Sequence, residues 1–358
     1  MIVVDQVIEV FSNGKRFANW TGARIRRSID SIAGEFSLEI AWNESDLSSL
    51  GLFPGDAVEI FVDRQKVLAG FVEEISASMS GSNYSVSVSG SETTSILADC
   101  CLDGGEFLNK DLASIAREIC AKFGVKFENK LAVNIGIPFE KFSVDPGSRA
   151  AEVLAKLCRE RGILISSDGL GTVYLIDPDS CKRGEPLRQG ENLESASMKM
   201  SDKDRFKHYV VLGTGQPKMK VKVDVTDSDV KRDKTLVVVD SNTMDKDKVQ
   251  ARADWERSVR AAKSASFSAV VPGWSTALGV WSPGVVCSFW SPKLGITSEI
   301  DLLLNSVTLS FSVGGGSESA LELVSAESFR PQPVTSKKVT VKKTKSDPWK
   351  TIEKTVKS

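Results

Sequence analysis

The sequence predicts a mainly β chain in which two small antiparallel β-barrels flank an α/β module. Three observations carry this: short alternating segments with turn signals at both ends of the chain, a switch to helical periodicity between them, and a strand-and-turn pattern that occurs twice. The implied division is residues 1–97 as a first β-barrel domain, 98–180 as the α/β module and 181–335 as a second β-barrel domain. That second domain carries a helical insertion near 245–264, and a lysine-rich tail at 336–358 follows it.

In the first region the alternating segments are Val7 to Phe11, Phe36 to Trp42, Ala57 to Val62, Val67 to Ile75 and Tyr84 to Val88. Asn13-Gly14, Pro54-Gly55 and Gly81-Ser82-Asn83 separate them. Short strands punctuated in this way argue for a barrel or sandwich.

The period then changes. In LNKDLASIAREICAKFG the apolar positions Leu112, Ile115, Ala116, Ile119, Cys120 and Phe123 share one helical face, with Asn109 the expected N-cap and Gly124 the expected stop. A second helix is expected in SRAAEVLAKLCRERG, capped by Ser148, striped by Val153, Leu154, Leu157 and Cys158, and closed by Gly162. The strands ILIS and TVYLI follow, with SDGLG as their hairpin turn.

After Asp177-Pro178 the strand signals return in HYVVLG, MKVKVDV and TLVVVD. They are interrupted by a helix from about Asp245 to Ser264, striped weakly by Val249, Ala253, Val259 and Ala262. Strands resume through VVCSFW, DLLLNSVTLSFSV and SALELVSA. Set side by side, the stretches beginning at Leu52 and Trp281 follow the same plan. Each runs Pro-Gly, strand, polar excursion, strand reaching Ile75 or Val307, Gly/Ser turn and final alternating strand. With Pro54-Gly55 and Pro283-Gly284 at the head of each, the two stretches read as one barrel type used twice or as two β-rich domains that share common turn chemistry.

Composition excludes several classes. The chain has 358 residues, with 46 basic against 47 acidic side chains, so no net charge points to nucleic acid. Charge is nevertheless uneven: from Lys337 onward eight lysines face Asp347 and Glu353, a net 8 minus 2 or +6, which leaves 38 minus 45 or −7 on the body. Such a tail suits an acidic partner surface or nucleic acid, or else a solvated, disordered end anchored only by Trp349 and Ile352. The N-terminal stretch carries Asp5 and Glu9 where a signal peptide or membrane helix is apolar, so no export signal or membrane anchor is expected. Six cysteines, Cys100, Cys101, Cys120, Cys158, Cys181 and Cys287, form no CxxC or Cys/His cluster. They read as reduced thiols of a chain made in a cytoplasm, with Cys120 and Cys158 in the core.

No catalytic, cofactor-binding or metal set emerges. His208 is the sole histidine and opens a strand pattern, and no GxSxG elbow surrounds a serine. Gly213 to Gln216 reads as a turn, since no helix opens after it and no P-loop lysine completes it. The neighbouring pairs Glu73/Glu74 and Asp202/Asp204 read as solvated surface. The stretches DSDVKRDK and DSNTMDKDK lack the glycine and terminal glutamate of a calcium loop. Trp274, Trp281 and Trp290 suit barrel core or subunit interface, or else stacking on sugar rings. The last option leaves a cell-wall carbohydrate-binding or hydrolytic protein as the alternative class.

The order of these parts resembles the baseplate hub proteins of contractile bacteriophage tails. A strand-rich start, the LASIAREICAKFGV and AAEVLAKLCRERGILISSDGLGTVYLI segments, then HYVVLG and the strands around WSPGVVCSFW and LLLNSVTLSFS resemble the hub of Mu-like phages over roughly residues 1 to 330. Hubs of T4-like tails and the N-terminal part of type VI secretion spikes are related. The resemblance implies a structural homotrimer whose three chains present six barrels in a trimeric ring around the DNA channel. Its implied partners are itself, the tail spike protein, the tail tube and other baseplate proteins, with DNA only in transit. It implies residence in the virion baseplate after synthesis in the bacterial host cytoplasm, and no catalytic residues.

Overall fold

The computed structural model describes residues 8–18, 20–41, 50–80, 83–131, 138–216, 219–240 and 245–330. The lysine-rich tail lies outside them, as do Val7, Trp42, Gly81, Ser82 and residues 241–244 of DSNTMDKDK.

The first β region contains β1 (Ile8–Ser12), β2 (Lys15–Phe17), β3 (Gly22–Ser28), β4 (Glu35–Ala41), β5 (Ala57–Val62), β6 (Gln65–Ser80) and β7 (Asn83–Glu92). The second contains β13 (Lys182–Arg183), β14 (Leu187–Arg188), β15 (Ser195–Met200), β19 (Ala265–Pro272), β22 (Val285–Ser291), β23 (Ile296–Ser312) and β24 (Gly316–Val324). All fourteen belong to one sheet, ordered β15-β19-β24-β23-β3-β4-β7-β6-β5-β1-β2, with β22 on β23 and with β13 and β14 on β22. The expected pair of separate closed barrels is therefore corrected. Among the described residues neither half closes on itself, and the two are joined edge to edge where β3 pairs antiparallel with β23. Their apolar faces merge into one core, in which Ile25, Leu38, Ile60 and Leu68 meet Trp274, Phe289, Leu304 and Leu321.

Between the halves lie α1 (Ile96–Asp99), β8 (Gly105–Lys110), α2 (Leu112–Lys122), β9 (Lys126–Glu128), β10 (Phe139–Val144), α3 (Ala150–Arg159), β11 (Leu164–Ser167) and β12 (Thr172–Ile176). Their core is separate and is built from the stripes read in the sequence, Ile115, Ile119 and Cys120 against Leu154, Leu157 and Cys158. Both helix starts differ from expectation. Asn109 holds a left-handed φ of 52° at the end of β8, and the Asp111 carboxylate caps α2 by accepting from Ser114 N at 2.7 Å. Ser148 is not the cap of α3, because Arg149 is still extended and bridges Cys101, while Ala150 N donates to Cys100 O at 3.1 Å. The stops hold: Gly124 and Gly162 both adopt positive φ, which glycine tolerates without strain.

The helical insertion is larger than the sequence suggested. Strands β16 (His208–Gln216), β17 (Met219–Thr226) and β18 (Thr235–Asp240) form their own three-stranded sheet in the order β17-β16-β18, and α4 (Lys246–Lys263) covers it. Tyr209, Val211, Val223 and Val225 pack against Val249 and Ala253. HYVVLG, MKVKVDV and TLVVVD are thus not part of the large sheet: period-2 alternation specifies a strand but not which sheet receives it. Two further short strands, β20 (Ser275–Thr276) and β21 (Gly279–Val280), pair with each other.

The α/β module is tied to the sheet through one buried carboxylate, Glu92. Its Oε2 accepts from Gly34 N at 3.0 Å and from Ser167 Oγ at 2.5 Å, and nearby Arg27 Nη2 donates to Ser167 O at 3.3 Å. Burial pushes the Glu92 carboxyl above its ordinary 4.5, against the opposing pull of Ser167, Gly34 and Arg27. The folded chain thus holds this proton more tightly than the unfolded chain. Glu92 contributes most to stability below an unfolded value of about 4.5, and that contribution is lost as pH rises through the raised folded value. In denaturant melts, the stability of wild type relative to Glu92→Gln is expected to improve as pH falls from about 7 toward about 5. A difference that stays flat or moves the other way contradicts this assignment.

Candidate assembly interface

The two β regions repeat each other strand for strand. Read across the sheet, β3-β4-β7-β6-β5 in the first half has the same order and the same antiparallel sense as β15-β19-β24-β23-β22 in the second. The long strands match in detail. β6 has 16 residues and β23 has 17, and each carries one unpaired extra residue against its partner, Glu73 opposite β7 and Asn305 opposite β24. Such bulges bend a strand and increase its twist locally.

The Pro-Gly pairs supply the closest match. Gly55 N donates to Val72 O at 2.8 Å and Gly284 N to Leu304 O at 2.9 Å, and both acceptors immediately precede the bulge. Both glycines hold positive φ, 95° and 85°. Following the pairing outward from these acceptors gives two equivalent rows. One is Val72, Gly90, Phe36, Ile25; the other is Leu304, Leu323, Phe267, Met198.

The opposite face of the sheet is polar and built from small hydroxyls. It carries Ser195, Ser197 and Lys199 on β15, Ser266 and Ser268 on β19, Glu318 and Glu322 on β24, and Thr308 and Ser310 on β23. It continues through Arg24 and Arg26 on β3, Ser37 on β4 and Ser85, Ser87 and Ser89 on β7. Arg26 Nη2 lies 4.0 Å from Glu322 Oε2 across the join of the halves, an exposed pair that contributes about 0–1 kcal/mol. A face of short hydroxyls and mixed charges offers neither an apolar patch nor a strong field of one sign.

The residues weighed for chemistry are occupied elsewhere. His208 lies on the small β17-β16-β18 sheet with Nδ1 3.4 Å from Asp224 Oδ1 and Nε2 3.4 Å from Asp233 Oδ1, so both ring nitrogens face carboxylates. Asp202 accepts two bonds of 2.8 Å from Arg232, which holds its carboxyl below the usual range, and Asp204 gives its carbonyl to Arg260 at 3.3 Å. Glu73 lines a shallow cleft on the polar face with Arg24, Arg26 and Glu35, whereas Glu74 pairs with Ser89. Gly213 to Gln216 ends β16 at an irregular pairing with β17. Cys120, Cys158 and Cys287 are buried, and burial pushes each thiol up to about 12, which leaves them un-ionised. Among the described residues no three His, Cys, Asp or Glu side chains are placed to hold a metal ion. No described helix is long and apolar enough to cross a membrane.

The tryptophans divide. Trp274 is fully buried with Nε1 donating to Ser310 O at 2.8 Å, and Trp281 is also buried in the shared core. Neither presents a ring face to a sugar. Trp290 is half-buried beside Arg188, Thr297 and Glu299. Val285 to Trp290 alternates between two faces, both with apolar side chains. Cys287 and Phe289 enter the main core, while on the opposite face Val286 packs with Ile29, Ile176 and Leu303.

This fold, a duplicated sheet joined through its own edges with an inserted α/β module, is shared with phage tail proteins. Two family profiles match in succession: "Mu phage baseplate assembly protein GpP-like, N-terminal" over residues 7–92 and "Baseplate hub protein gp44-like, second domain" over residues 94–177. Baseplate hub protein gp44 of Escherichia phage Mu is 29% identical over 343 residues, 91% of this chain and 89% of that one. The 43 kDa tail protein of prophage MuSo2 from Shewanella oneidensis superposes with a TM-score of 0.80 at 26% identity, covering 91% of this chain and 99% of that one. The tail protein from Neisseria meningitidis MC58 shares the fold, with a TM-score of 0.76 at 19% identity over 92% and 99% of the two chains. The chain is a baseplate hub protein of the Mu-like phage tails, and its place is the baseplate of the virion tail.

Proposed function

We propose that three copies of this chain form a ring with pseudo-six-fold symmetry that joins the tail tube to the central spike and surrounds the DNA channel. The observation that carries this reading is the duplication: β3-β4-β7-β6-β5 and β15-β19-β24-β23-β22 give one chain two near-equivalent β units. A three-fold assembly of such chains presents six near-equivalent surfaces, which suits a junction between a six-fold tube and a three-fold spike. Barrel closure then belongs to the ring and not to the single chain. The hydroxyl-rich face forms the channel wall in this reading, where a passing polymer meets small polar groups and balanced charge. The ring is built from the β regions, with residues 98–180 outside it, and its role is structural, without catalysis.

The test is native mass together with images of the purified chain. A particle of about 116 kDa, three times the 38.8 kDa chain, with a central hole is expected. A folded monomer at micromolar concentration contradicts the reading.

A further inference from the structure

The duplication leaves one matched pair of edges unused. Strand β23 forks at its bulge: residues before it pair with β22, and Ser306 to Ser312 pair with β3. Its counterpart β6 forks in the same way, with Gln65 to Phe71 on β5. Beyond the bulge, however, Glu74 to Ser80 have β7 on one side and no strand on the other among the described residues. The counterpart of β3 is β15, which pairs with β19 and otherwise has a free edge among the described residues. Unpaired edges are templates for strand addition, and natural proteins normally cover or blunt them.

We infer that β15 of one copy pairs antiparallel with the distal half of β6 of a neighbouring copy, repeating between chains the β3–β23 junction made within each chain. This rests on the ring reading above and names the contact that builds it. Counting from the bulges, Thr308, Ser310 and Ser312 correspond to Ser76, Ser78 and Ser80. The matched rows make Gly22, Arg24 and Arg26 correspond to Ser195, Ser197 and Lys199. The internal register Arg26↔Thr308, Arg24↔Ser310, Gly22↔Ser312 therefore becomes Lys199↔Ser76, Ser197↔Ser78 and Ser195↔Ser80. That register sets Lys199 diagonal to Glu74 on the same face, within reach of an ion pair.

Burial supports the same docking. At the internal junction the core-side residues Ile25, Val307 and Leu309 are 1%, 2% and 3% exposed. At the free edges Met79 and Met200 are 79% and 72% exposed. Met79 stands where Phe311 is partly buried in the other half. The two edges belong to opposite halves of the chain, so the contact is head-to-tail and propagates until a ring closes.

The test is the Ser78→Cys/Ser197→Cys double variant of the full chain, oxidised and run without reductant. Both serines are exposed, so the folded chain is expected to tolerate them. Covalent dimer and trimer are expected in the double variant and only background in either single variant, since one edge alone supplies no partner. Hydrogen exchange on the unmodified chain is the second readout: nearly all amides of Ser76 to Ser80 are expected to be protected, not only those bonded to β7. A particle of trimer mass with neither the cross-link nor this protection overturns the junction while leaving the ring intact. A folded monomer without the cross-link overturns the ring and the junction together.

Discussion

Replacing Trp274 by alanine is expected to lower the stability of the chain by about 3–5 kcal/mol, the range for removing a large buried aromatic. The indole is fully buried in the core shared by the two halves and meets the Phe311 ring edge-on at 6.3 Å between centroids. Its Nε1–H is bonded to Ser310 O on β23 at 2.8 Å, and β23 is the strand that joins both halves through β3. The alanine variant therefore loses packing and leaves a carbonyl without that donor at the same place. Denaturant unfolding followed by far-UV circular dichroism measures the loss. A change below about 1 kcal/mol is what a surface site gives, and contradicts this placement.

Gly90→Ala is expected to have an effect of similar size through overpacking. A Cβ at position 90 would lie 2.0 Å from Phe71 O and 2.8 Å from the Phe36 ring, which is itself buried. No rotamer relieves a clash with backbone, so β6 and β7 must separate beside the bulge at Glu73. A loss of about 3 kcal/mol is expected, at the upper end for an added methyl group in a packed site. Ser89→Ala, one residue away on the polar face, is the matched control and is expected to stay within about 0.5 kcal/mol. Equal melts for the two variants contradict the close approach of β6 and β7.

What the sequence revealed and what it concealed follow from where side chains bury. The paired Pro-Gly turns and the strand DLLLNSVTLSFSV were legible, because positive-φ glycines and runs of leucine, valine and phenylalanine have few alternative readings. Helices α2 and α3 were legible by their stripes, though their caps shifted by one or two residues, to the Asp111 carboxylate in α2 and to Arg149, without a side-chain cap, in α3. Strands β3, β15 and β19 carried weak signals. GARIRRS puts Arg24 and Arg26 on one face and Arg27 beside only Ala23 and Ile25 on the other, while SASMKM and ASFSAVVP mix serine with apolar residues. The distal half of β6 was missed for a related reason: Ser76, Ala77, Ser78 and Met79 bury nothing within one chain, so no apolar alternation marks them. Strand β3 at the internal junction, and β15 and the distal half of β6 at the free edges, were thus among the strands hardest to read. Glu92 was also invisible, since a glutamate among serines and threonines differs from surface only once Gly34 and Ser167 are known to donate to it.

The ring itself is tested most directly by the native mass of the purified full-length chain, with class averages of the same sample. The account predicts about 116 kDa, three times 38.8 kDa, in a hollow particle with six similar lobes contributed by three chains. A stable, folded 38.8 kDa monomer, or a particle without six-lobed symmetry, would contradict it.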